Sequence, residues 1–343
     1  MFDFVKGLGM IQIVLFHTTP VASVSKWILF IINAFGFGLM GVYLAINGFQ
    51  FRETKIKLSV KKFSKTYLVP YVQLAIITLV CLLLSNYPWY RTLPALLKVV
   101  SDYAATFALG TFNERTIGPF LVRSVLIGWF FLALFWGSIL LNLILKIKNC
   151  FVRMACVAMI AAIGIYLETK TLDFYCIYKG FQALPAIYVG HFVYQRNLVD
   201  RSGSKMKKIA PYLLVVVAFL IWYRLADDEP LFSLCVKRIV CEIIWGYAGI
   251  CLAADTVNNA NIFTEVIRKI GRYSFWIIIV HTVGMICIPW YLMSRSFPDH
   301  PNICFLIVAV LRSVGLFLGC SLMKYSTQKI RQIRRNKKRQ KVK

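Results

Sequence analysis

Charge is scarce in this chain. Only 16% of the 343 residues are charged and 14 are acidic, where a water-soluble chain carries about a quarter charged. Apolar residues reach 59% and mean hydropathy is +0.68. That balance excludes a secreted domain, a disordered chain and an ordinary soluble enzyme. Also lacking are a C-x-x-C pair and a Cys/His cluster among the ten cysteines, so neither a zinc site nor a redox motif is supported, and no metal is expected. The cysteines read instead as small hydrophobes. No internal repeat and no appended soluble domain is visible. The net charge of +26 suggests a nucleic-acid partner until the cations are placed: they fall between apolar blocks and in the tail, so no nucleic acid is expected.

What the chain has is apolar blocks of roughly twenty residues, the length that crosses about 30 Å of hydrocarbon as a helix. Ten are expected, near 4–22, 27–51, 67–85, 125–145, 151–167, 179–195, 209–224, 234–254, 273–293 and 303–323. The reading is an all-α polytopic membrane protein, with a transmembrane domain over 1–323 and a basic tail over 324–343. The opening, with Lys6 and an apolar run, mimics a signal peptide. Asp3, Gln12 and His17 argue for a retained first helix. An even number of crossings puts both termini on one side. With that side cytoplasmic, 28 of the 40 basic residues lie inside, while the outer loops hold eight of the fourteen acids, including Asp227-Asp228-Glu229. The expected topology is N-in and C-in, in a cell membrane.

One outward loop is long, from 86 to 124. It opens on Tyr87-Pro88-Trp89-Tyr90 and contains an apolar segment, Leu93 to Leu109, suited to an interfacial helix or a segment dipping back into the protein. Its aromatics fit an interfacial belt first and sugar stacking second. The tail KIRQIRRNKKRQKVK suits a topology anchor, with anionic lipid headgroups as the other partner.

Ionisable groups inside spans are costly, roughly 2.5–3.5 kcal/mol or more when charged at mid-depth, and so mark sites. Four stand out: His17, His191, Glu242 and His281. His17 follows Lys6 by eleven residues, three turns on the same face and about 16 Å deeper. His281 lies nine residues beyond Arg272, about 14 Å from the same surface, with Ser274 two turns below it on nearly the same face. Two histidines from distant spans thus reach similar depth, which fits a shared site as well as two separate helix–helix hydrogen bonds. His191, near Arg196, reads as structural. Glu242 reads as the partner of a local ion pair with Lys237 or Arg238. His300 falls in a loop. Arg52, Lys55, Lys57, Lys61, Lys62 and Lys65 concentrate in one inner segment, where they can hold a polyanion such as the phosphates of a nucleotide-containing donor. The positive-inside bias alone also predicts them.

Several stretches together resemble a known family. FDFVKGLGMIQIVLFH resembles the first-helix signature of the integral-membrane acyltransferase-3 family, in which an Asp-Phe start leads through a cation to a histidine. VYLAINGFQFRE resembles the family's aromatic stretch closing in Ser-Gly, with Asn47-Gly48 in its place here. KKFSKTYLVPY resembles its basic run before Pro-Tyr, IGWFFLALF its Trp-Phe-Leu helix, and IGRYSFWIIIVH its late helix ending in histidine. Lys6 stands where the family usually has arginine, so a planar fork is replaced by a point charge.

The resemblance implies an acyltransferase that moves an acyl group, commonly acetyl, from cytoplasmic acyl-CoA to a hydroxyl of an envelope carbohydrate. Acetyl-CoA is then the co-substrate, and the partners are an envelope glycan or lipid-linked sugar and membrane lipids. His17 becomes the general base or transient acyl acceptor, and His281 with Ser274 orients the acceptor or the oxyanion. Lys6, Arg52, Lys61, Lys62 and Lys65 become donor contacts, and Trp129 and Phe130 cavity wall. A transporter or flippase for a lipid-linked sugar is the rival from another class. Its paired half-chain repeats and broken helices are not visible in the sequence.

Overall fold

The computed structural model describes residues 1–22, 24–36, 38–86, 92–170, 174–200, 205–224, 231–258 and 261–340, with backbone alone over 323–340. Tyr87 to Tyr90, Arg201 and Asp227-Asp228-Glu229 lie outside the described residues.

The first two expected spans are each broken. Helix α1 (Asp3–Phe16) stops four residues before Pro20, whose ring has no N–H for the Phe16 carbonyl and clashes with it. Hydroxyls take over there: Thr19 donates to Phe16 O at 2.7 Å and Thr18 to Val14 O at 2.7 Å. His17 therefore sits at a helix end rather than inside a continuous span. After the short α2 (Thr19–Ala22), the second expected span divides into α3 (Lys26–Gly36) and α4 (Leu39–Phe49).

Next, α5 (Ile56–Phe63) continues through a π-helical turn, Ser64–Leu68, into α6 (Val69–Asn86). The segment Leu93 to Leu109 is a helix, α7 (Leu93–Leu109), which ends on Gly110 at φ +61°, a left-handed stop that suits glycine. It packs on α6, where the Tyr71 hydroxyl donates to Phe107 O at 2.7 Å. A small antiparallel hairpin follows, β1 (Arg115–Ile117) with β2 (Phe120–Val122), paired Thr116 to Leu121, an addition to the expected all-α class.

The remaining helices are α8 (Trp129–Ile144), α9 (Cys150–Thr169), α10 (Ile177–Gln195), α11 (Lys205–Arg224), α12 (Leu231–Asp255), α13 (Ile262–Arg272), α14 (Ser274–Cys287), α15 (Tyr291–Ser296) and α16 (Pro301–Gln340). Asn149 starts α9 by accepting from the backbone N–H groups of Phe151 and Val152. The expected tail continues α16 as helix to Gln340.

Among the described residues four helices are long and apolar enough to cross a bilayer: Ile56–Ser85, Leu126–Ile144, Cys150–Thr169 and Pro301–Leu322. The α13–α14 pair, bent by 68°, makes a fifth. Three further expected spans coincide with α10, α11 and α12, which carry more polar residues. Large apolar side chains such as Ile76, Leu84, Met159 and Phe317 lie exposed along the candidate spans, as a lipid-facing surface requires. At the centre, α10 packs on α4, α8, α9 and α12, with Leu132, Leu141, Leu184 and Ile187 fully buried. Close helix approach needs small residues. A Cβ on Gly41 of α4 would lie 2.1 Å from the carbonyl oxygen of Glu242, so Gly41 lets α12 settle against α4 at that residue.

Candidate active site

A cavity of about 390 Å³ opens between α1, α4, α8, α10 and α12, with Phe112 and Ser124 also on its lining. His17 lies on its wall. The imidazole Nδ1–H donates to Ile13 O at 2.8 Å, one turn back along α1. With Nδ1 committed to a carbonyl, the lone pair of Nε2 is the basic one. The His281 ring packs edge-on against that of His17, with centroids 5.4 Å apart, and its buried Nε2 has no hydrogen-bond partner among the described residues. The shared depth expected of the two histidines is thus a direct contact.

Arg312 of α16 meets the same place. Its Nη1 donates to the His17 carbonyl at 2.6 Å and to the Thr18 hydroxyl at 3.1 Å, and the guanidinium lies 4.8 Å from the Trp290 ring centroid. The carbonyls at a helix end carry partial negative charge, so a buried cation is well placed there. Arg312 is the single charge in the apolar run 303–323, and the rule that selects His17 and His281 selects it too. Its omission from the sequence candidates is a misapplied rule, not a missing signal.

The same cavity is lined by Lys179, Gln182, Arg238 and Glu242. Behind them the carboxylate of Glu168, on α9, accepts from Lys179 Nζ at 2.8 Å, Arg238 Nη2 at 3.0 Å and Gln182 Nε2 at 2.7 Å. Gln182 Oε1 accepts from Arg238 at 2.5 Å, and Lys179 Nζ lies 4.2 Å from the Phe112 ring centroid. Lys179 is 5% exposed. A charge buried so deeply survives because it is paired and hydrogen-bonded. The partner of Arg238 is therefore Glu168, seventy residues away, and not Glu242 as expected. Glu242 is 8% exposed, lines the cavity, and makes no ion pair among the described residues. In sequence these groups sit near the ends of three apolar spans, where interfacial residues are ordinary; packing alone brings them together.

Of the other sequence candidates, Trp129 lines the cavity. Phe130 is buried behind it, edge-on to Tyr43 at 5.9 Å. Ser274 begins α14 at the bend and does not line the cavity. Lys6 is half-buried one face down α1 from His17, and its carbonyl accepts from the Tyr43 hydroxyl at 2.5 Å. Lys61, Lys62 and Lys65 are exposed on α5 and the π-helical turn, away from the cavity lining. Arg52 is exposed; its guanidinium lies 4.2 Å from the Tyr194 ring centroid and donates to Phe51 O at 2.9 Å. Asn47 joins Tyr67, which donates to its Oδ1 at 2.5 Å, to Ser138, which accepts from its Nδ2 at 2.9 Å. His191 packs against Phe51 away from the cavity, and six of the ten free cysteines are buried.

A family model described as an acyltransferase domain, of the acyltransferase-3 type, matches residues 2–322. No curated protein and no solved structure matches the chain significantly.

Proposed function

The chain belongs to the acyltransferase-3 family and is a membrane acyltransferase; from that premise we propose that it moves an acyl group, acetyl first, from cytoplasmic acyl-CoA to a hydroxyl of an envelope carbohydrate. The observation that carries the reading is His17, an imidazole with Nδ1 tied to a carbonyl and its ring on the wall of a cavity between helices. Nε2 takes the proton of the acceptor hydroxyl as its oxygen attacks the thioester carbonyl. The C–S bond then breaks, and CoA leaves as a thiol after the imidazolium returns the proton. The His281 ring, edge-on to that of His17, orients the acceptor or stabilises the oxyanion that forms between these steps.

The donor enters from the side that bears Lys61, Lys62 and Lys65, whose exposed ammonium groups meet the nucleotide phosphates. Its pantetheine arm passes Lys6 and covers the ~16 Å that eleven helical residues span to His17. With both termini cytoplasmic, the cavity end bearing Phe112 and Ser124 faces outward, toward the glycan. A bacterial plasma membrane suits this arrangement.

Membranes supplied with radiolabelled acetyl-CoA test the reading. Label is expected on envelope polysaccharide with the wild-type protein. His17→Ala should remove it, a fall of about a hundredfold or more for loss of a general base, while the protein still accumulates in the membrane. Undiminished label in His17→Ala removes His17 from the mechanism. A transporter of lipid-linked sugar would leave the glycan unlabelled throughout.

A further inference from the structure

The cavity wall built by α10 and α12 has a particular charge balance. Lys179 and Arg238 both pair with Glu168, and the Gln182 amide is spent on Glu168, Arg238 and the Gly164 carbonyl. Among the described residues Glu242 is the charged group of this wall with no hydrogen bond or ion pair of its own, although Arg238 and Lys179 lie close enough to attract its charge; it is more than nine-tenths buried and lines the cavity. An ionised carboxylate only accepts hydrogen bonds, on about four lone-pair sites, so what it lacks is donors. Beside it Trp129 and Phe112 meet at 90° with centroids 6.0 Å apart, an apolar corner on the same cavity.

We propose that this wall is the acceptor subsite and that it takes an uncharged, hydroxyl-rich ring, two of whose hydroxyls donate to Glu242 while its apolar face rests on Trp129; the proposal rests on the acyl-transfer reading above. The charges decide the class of ligand. Glu168, Glu242, Lys179 and Arg238 sum to zero when ionised, so the wall offers no net attraction to an ionic ligand. A carboxylate or phosphate would approach Glu242 with both nearby cations already engaged by Glu168, and burying two like charges together is costly. A cation would find Lys179 and Arg238. Hydroxyls satisfy Glu242 without disturbing either ion pair. The cavity volume, about 390 Å³, falls within the roughly 300–1,000 Å³ usual for small-molecule sites. A ring held there shares the cavity with His17, whose imidazole lies on the same lining. Glu242 is thus an acceptor-binding and specificity-determining residue.

The test uses the full-length protein in lipid nanodiscs, with methyl β-D-glucopyranoside and methyl β-D-galactopyranoside as neutral probes and methyl β-D-glucopyranosiduronate as the acidic one. Saturation-transfer NMR reads contact with each ring independently of catalysis. Neutral probes should give transfer that falls at least fivefold in Glu242→Gln, an isosteric change, and at least fivefold in Trp129→Ala, which keeps the test alive should the first variant not accumulate. The uronate should give no more than a fifth of the neutral signal. Equal signal in wild type and both variants, or preference for the uronate, overturns the proposal. Transfer of label from acetyl-CoA is measured on the same samples to separate the two readings. Glu242-dependent binding with no label transferred by wild type retains the sugar-binding wall but removes its acceptor role together with the acyl-transfer reading. His17-dependent transfer unaffected by Glu242→Gln retains acyl transfer and removes the subsite.

Discussion

An imidazole serves as a base only when its orientation is fixed, because a misplacement of about 1 Å costs on the order of a hundredfold in rate. His17 follows the last residue of α1, where helices ordinarily fray. Two contacts hold it: its own Nδ1 on Ile13 O, and Arg312 on its carbonyl. Arg312 touches backbone and a hydroxyl, so it is a positioning residue. Hydrogen bonds from a charged donor are worth about 1.5–3 kcal/mol, or roughly ten- to a hundredfold in rate. Arg312→Leu should lower turnover by that range while leaving the apparent KM for acyl-CoA within about twofold. Arg312→Lys, which keeps one donor and the charge, should recover part of the loss. Steady-state kinetics on the three proteins check this. A purely structural arginine would lower the amount of folded enzyme without such a split or such a rescue.

At the level of helices, the site depends on how closely α4 and α12 approach. A methyl on Gly41 would meet Glu242 backbone at 2.1 and 2.5 Å, atoms that cannot swing aside as a side chain can. Gly41→Ala should therefore push α12 outward and cost about 1–3 kcal/mol, seen as a lower thermal midpoint in detergent. Gly315, on the exposed face of α16, has nothing within 4 Å of an added Cβ. Gly315→Ala should leave the midpoint unchanged or raise it, since Gly costs about 1 kcal/mol against Ala inside a helix. The break after α1 follows an equally local cause, Pro20, and frees the carbonyl that Arg312 occupies. The π-helical turn Ser64–Leu68 similarly carries Tyr67, whose hydroxyl reaches Asn47 on α4.

Across the whole molecule, two charged regions are separated by the span length. Exposed lysines gather on α5, while the paired charges around Glu168 are buried at the far ends of their helices. Exposed and buried charges respond differently to salt, because screening acts through solvent with a Debye length of about 8 Å at 0.15 M. Replacing Lys61, Lys62 and Lys65 together by Gln should raise the apparent KM for acyl-CoA several-fold with little change in turnover. The wild-type KM should climb toward that of the variant as ionic strength rises. Titrating acyl-CoA at two salt concentrations checks both statements; an unchanged KM in the triple variant returns these lysines to the role of topology anchors.

By itself the sequence determined that the chain is helical and membrane-embedded, that Leu93 to Leu109 is a coherent segment, and that His17 and His281 share a depth. Each follows from local composition or from a constant rise along one helix. Arg312 was equally legible, as a lone cation in an apolar run. Pro20 was visible as well, and α1 stops four residues before it, at Phe16. Tertiary structure decided the rest. Glu168, Lys179 and Arg238 are ordinary span-end residues until α9, α10 and α12 pack, and Arg238, one of the two local partners expected of Glu242, forms its ion pair with Glu168 instead. Which charges pair and which stay unspent depends on distances between helices, and no periodicity within a helix encodes those.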